Sequence, residues 1–84
     1  MAKWNEHIEL NATINRACDE FDLTCHEEDC PTEVKEMLAT ELAKSQRLGH
    51  FANQMRSVKS IAAMNRLLVR VYDEADRFKI WLGL

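Results

Sequence analysis

The chain has 84 residues, of which 46% are apolar and 30% charged, and its formal net charge is −3. That length supports one modest hydrophobic core and excludes a second domain, and the apolar-to-charged balance excludes a disordered segment. Two glycines (Gly49, Gly83) and one proline (Pro31) are too few turn residues for a small all-β fold, and no apolar run approaches the roughly 20 residues of a membrane-spanning helix.

In the first segment Leu10, Ile14, Ala17 and Phe21 recur at spacings of four, three and four, with Cys18 beside them. Glu6, Glu9, Thr13, Arg16 and Glu20 take the other side, which predicts an amphipathic helix over about 3–22. From Leu23 to Asp29 the period is lost, and the stretch reads as a connector. Pro31 suits a first helical turn, and Glu33 and Glu36 follow close enough to favour the positive end of the helix dipole. A second helix is expected over about 31–48, burying Val34, Met37, Leu38, Leu42 and Leu48. Gly49, following Arg47 and Leu48, has the pattern of a helix end closed by a left-handed residue. Beyond it Ile61, Met64, Leu68, Val71, Ala75, Phe78 and Leu82 keep a three-four repeat, which predicts a third helix over about 51–82.

The fold class expected is all-α, with one domain over 1–84. It is a small three-helix bundle, or a helical hairpin with a long C-terminal helix, in coiled-coil-like packing. A third helix of that length spans about 45 Å at 1.5 Å per residue, more than the first two can cover. The surplus apolar stripe predicts a homodimer whose interface includes Met64, Leu68 and Val71. The C-terminal run from Phe78 to Leu84 is dense in large apolar residues and is expected to pack on the core under Trp4 or Ile8 rather than to anchor a partner.

Met1 to Asn11 contains Glu6 and Glu9 and no apolar signal core, so the expected location is cytoplasmic, with no membrane association. Three cysteines, an odd number, then read as reduced thiols. Cys18, Cys25, His26 and Cys30 are suitable zinc ligands, but their spacing matches no common zinc module, and neither metal nor cofactor is expected. Cys18 fits the buried stripe instead. Residues three before His7, His26 and His50 are Trp4, Leu23 and Arg47, so the Glu-x-x-His pattern of di-iron bundles is missing. The serines lack the flanking glycines of a nucleophile elbow, and no glycine-rich loop precedes a helix. A non-catalytic protein is the expectation.

Charge divides along the chain. Residues 1–46 carry four basic and eleven acidic side chains, and residues 47–84 seven and three. Asp19, Glu20, Asp22, Glu27, Glu28, Asp29, Glu33 and Glu36 form an acidic segment interrupted by Lys35 alone. Such a segment can mimic a phosphate backbone and occupy the basic groove of a nucleic-acid-handling protein. Glu27, Glu28 and Asp29 are expected in its most protruding loop. On a continuous third helix Arg56, Lys59, Arg66, Arg70 and Arg77 fall in one narrow arc, a basic ridge able to contact DNA or RNA phosphates. An overall pI near 5.5 disfavours that second reading. The first is therefore preferred: a helical protein-protein interaction module, a small regulator or inhibitor with a protein partner.

Overall fold

A computed structural model describes residues 6–83. In chain order its elements are β1 (Glu6–His7), α1 (Leu10–Glu20), α2 (Thr32–Ala43), α3 (His50–Ser57), α4 (Ile61–Phe78) and β2 (Ile80–Trp81). The fold is mostly helical, as expected, with four helices among the described residues where three were expected.

In α1 Leu10 and Ala17 lie in the core as expected, with Ile14 half-buried beside them, but Thr13, expected on the polar side, is buried too, its hydroxyl satisfied by donating to the Glu9 carbonyl at 3.0 Å. Cys18, expected in this stripe, is exposed; the buried thiol is Cys30, 4% exposed. The helix starts at Leu10 because the preceding residues pair elsewhere. Glu6 and His7 lie parallel to Ile80 and Trp81, and the Ile8 N–H donates to the Trp81 carbonyl at 3.0 Å. The Asn11 N–H in the first turn of α1 donates to the Leu82 carbonyl at 2.9 Å, and the Glu9 N–H before it to Glu41 Oε1 at 2.7 Å. Donors that a helix start leaves free are thus satisfied by distant parts of the chain.

Helix α2 begins at Thr32, with Pro31 as its N-cap, and buries Val34, Leu38, Ala39 and Leu42. It ends at Ala43, short of the expected Leu48, where tightened bonds from Lys44 N–H to the Glu41 carbonyl and Ser45 N–H to the Leu42 carbonyl close it. The following turn is held from inside: Ser45 Oγ donates to the Glu6 carboxylate and accepts from the Leu48 N–H at 3.1 Å. Gly49 is not the left-handed residue expected. Its φ of −59° is helical and it caps the start of α3. Glycine is favoured there by close approach, since a Cβ would sit 3.0 Å from the Ser45 carbonyl oxygen.

The long third helix expected from the apolar repeat is two helices. Val58 is extended, and Ser60 caps α4 by accepting the Ala63 N–H at 3.1 Å. Ser60 is among the strongest N-cap types, worth about 1 kcal/mol. The break is also tied from outside, because the Cys30 N–H donates to the Lys59 carbonyl at 2.9 Å. Helix α4 is 18 residues, about 27 Å. The surplus stripe disappears with the longer helix. Met64, Leu68 and Val71 are 3%, 7% and 0% exposed within the single chain, so they are core residues and not a face left over for a second copy.

Lys79 ends α4 in the left-handed conformation (φ 56°), which turns the chain back toward β1. Ile80 and Leu82 then join Ile8 in the core. Burying each contributes about 1.5–3 kcal/mol, enough to hold a chain end that would otherwise fray. Ile80 and Leu82 of the C-terminal run are therefore core beside Ile8, as expected, and Leu84 lies outside the described residues. Trp4, the other partner expected, and the first residues assigned to helix one lie outside the described residues.

Candidate functional site

All eight carboxylates of the acidic segment are exposed. Asp19 and Glu20 lie in the last turn of α1, Glu27, Glu28 and Asp29 in the connector, and Glu33 and Glu36 on α2. Asp22 follows α1 and closes a small turn on itself: its Oδ1 accepts from Thr24 Oγ1 at 2.6 Å and from the Thr24 N–H at 3.1 Å. Those two bonds hold its carboxyl below the usual aspartate range, so it stays charged.

The connector is exposed but is not a free loop. The first N–H groups of α4 are sewn to it, Ile61 to the Glu28 carbonyl at 3.0 Å and Ala62 to the His26 carbonyl at 3.1 Å. Asp29 forms an antiparallel bridge with Ser60. With Ala63 on Ser60 Oγ and Met64 on the Ser60 carbonyl, the first-turn donors of α4 are all satisfied. Glu27, Glu28 and Asp29 therefore ride on rigid backbone at the positive end of a helix, where negative charge is favoured.

The cations that were candidates to neutralise this surface mostly serve other groups. Lys35, the one lysine within the segment, donates through Nζ to the Val58 carbonyl at the end of α3, at 2.9 Å. Arg56 Nε lies 3.3 Å from the Glu36 carboxylate. Among the described residues that is the one ion pair made by any of the eight carboxylates.

The basic ridge loses its single-helix basis. Arg56 is on α3, Lys59 is in the break, and Arg66, Arg70 and Arg77 are on α4. Arg77 is paired with Glu74 at 3.6 Å, and Arg70 Nη1 reaches Gln54 Oε1 at 3.5 Å. Arg66 and Arg70 instead line a cleft between α3 and α4 with Gln54, Val58, Ala63 and Leu67. Ala63 and Leu67 in that cleft were not singled out from sequence. The signal that would have found them is the Ser60 cap, which splits the helix and folds α3 back beside α4.

Among the described residues, no three His, Cys, Asp or Glu side chains are placed to hold a metal ion. Cys18 and Cys25 are exposed, whereas the Cys30 Sγ is packed 3.6 Å from Met64 Sδ. Burial pushes the Cys30 thiol up, more than nearby Lys35 lowers it, and it sits as a small apolar side chain. Glu41, by contrast, is a buried carboxylate that holds the fold together, tying α2 to the start of α1 and taking a bond from Lys44 Nζ at 2.9 Å. No helix among the described residues is long and apolar enough to cross a membrane. No protein-family model, no curated protein and no solved structure matches this chain.

Proposed function

We propose that the chain is a non-catalytic, cytoplasmic interaction module, a small regulator or inhibitor that docks through its acidic surface on the basic groove of a larger nucleic-acid-handling protein. The observation that carries this reading is that seven of the eight exposed carboxylates have no ion-pair partner among the described residues, while the lysine among them is turned to a backbone carbonyl. Uncompensated charge of one sign steers a partner of opposite sign and speeds encounter. The pinned connector adds to this, because a surface already held in place loses little freedom on binding.

The test is capture from lysate on immobilised protein, wild type beside Glu27→Lys/Glu28→Lys/Asp29→Lys. The expected result is a set of basic proteins retained by the wild type and released by competing duplex DNA. They should be lost in the reversed variant, and lost again between about 0.1 M and about 1 M salt, as the Debye length falls from about 10 Å to about 3 Å. Retention of the same set by the reversed variant contradicts the proposal.

A further inference from the structure

The chain carries a second surface of opposite sign, and it differs in kind from the acidic one. At the corner made by the Val58–Ser60 break, α3 and α4 flank an open cleft of roughly 360 Å³. That is within the range of sites that take a small molecule or a single large side chain, about 300–1,000 Å³. Its wall is apolar where Val58, Ala63 and Leu67 contribute, and Arg66 and Arg70 line the α4 side. These two arginines stand one helical turn apart, so their guanidinium groups leave α4 on the same face.

Neither arginine has a carboxylate partner among the described residues, whereas Arg56 on α3 and Arg77 further along α4 are each paired, with Glu36 and Glu74. The middle of the former ridge is thus the part left uncompensated. Arg70 Nη1 lies 3.5 Å from Gln54 Oε1, and its guanidinium carbon 5.9 Å from the Phe51 ring centroid, which places the group toward the α3 side of the cleft. A planar guanidinium matches a carboxylate or phosphate with two parallel bonds.

Two chemistries present anions to such a fork, and the surroundings separate them. A nucleic-acid backbone extends its charge beyond two contacts, and its affinity grows with each phosphate neutralised. Along α4 the neighbouring hollow sets Asp73 and Glu74 beside Arg70, Arg77 and His50, so its charge is mixed and offers no continuous cationic track for a phosphate chain. An acidic peptide needs no more than two cations and can place an apolar side chain against Val58, Ala63 and Leu67. We therefore propose that the α3/α4 cleft docks an acidic peptide segment of a partner protein, with one apolar side chain in the cleft and flanking carboxylates on Arg66 and Arg70. This site is independent of the acidic surface, so either can fail without the other.

The test uses a blocked synthetic peptide with a central leucine flanked on both sides by glutamates, titrated into isotopically labelled protein and followed by amide chemical shifts. Saturable shifts are expected at Gln54, Ala63, Arg66, Leu67 and Arg70. Affinity should fall at least about tenfold in Arg66→Glu/Arg70→Glu, a change at exposed positions that circular dichroism should show still folded. The reversed variant should in turn bind the same peptide with lysine in place of glutamate. Absence of shifts at the cleft overturns the proposal. So does equal affinity for a serine-centred peptide, which would reduce the site to charge alone, tighter binding of a short DNA duplex, or arginine-dependent self-association without peptide binding.

Discussion

Glu41 offers the sharpest test of how the fold is held. It is 6% exposed, and its carboxylate joins the Glu9 N–H at the start of α1 to Lys44 on its own helix. Burial pushes its pKa up, but the bonds from Lys44 and the Glu9 N–H, with the charges of Lys44 and Arg16, outweigh this and leave it below the ordinary glutamate value of 4.5. Glu41→Ala leaves the part-buried Glu9 N–H without its acceptor, and a hydrogen bond to a charged group is worth about 1.5–3 kcal/mol. Lys44 is 61% exposed, so its ion pair with Glu41 adds under about 1 kcal/mol. For a chain of this size a loss of about 2–3 kcal/mol lowers Tm by roughly 10–20 °C, at 4–8 °C per kcal/mol. Glu41→Gln keeps an acceptor for the Glu9 N–H and should lose about half as much. The sign of the pH dependence follows from the lowered pKa. Its stabilisation is complete above the unfolded value of 4.5 and disappears as pH falls through the lower folded value. The gap between wild type and Glu41→Ala, measured by thermal melts, should therefore narrow on acidification below that point. Equal penalties for Ala and Gln, or a gap that widens toward low pH, would refute the reasoning.

Three further outcomes follow from the same packing. Ser60→Ala removes the cap of α4 and should cost about 1 kcal/mol in denaturant unfolding, whereas no change would favour one continuous helix. Leu68→Ala, at a site 7% exposed, should cost about 2–5 kcal/mol; if instead the fold were unaffected while the mass measured by light scattering halved, the residue would belong to an interface. Maleimide should label Cys18 and Cys25 promptly and Cys30 only after unfolding, as mass spectrometry of the native and denatured protein can check.

Much of the fold was legible because burial follows period. Leu10 and Ala17, Val34, Leu38 and Leu42, and Ile61, Met64, Leu68 and Val71 all lie in the core, and Ile80 and Leu82 pack where the composition of the C-terminal run suggested, whereas Thr13, placed on the polar side by its hydroxyl, is buried too. Other features were written in groups that every residue shares. The connector is sewn to α4 through the carbonyls of His26 and Glu28, and β1 meets β2 through backbone bonds across nearly the whole chain. No side-chain pattern announces either. The break at Val58–Ser60 had one signal, a serine cap, and an apolar repeat on both sides hid it. At the candidate sites the signs of the charges were readable, but their partners were not. Lys35 turned to Val58 and Arg56 paired with Glu36 are contacts between segments that only the folded chain brings together.

The proposed role is tested most directly by association rates of a retained partner with wild type, with Glu27→Lys/Glu28→Lys/Asp29→Lys and with Arg66→Glu/Arg70→Glu, followed as salt is raised. If the acidic surface carries docking, the acidic triple variant alone associates more slowly at low salt, and the difference closes toward about 1 M, where the Debye length is about 3 Å. Slower association in the arginine variant, with the acidic triple variant unaffected at every salt concentration, would contradict it.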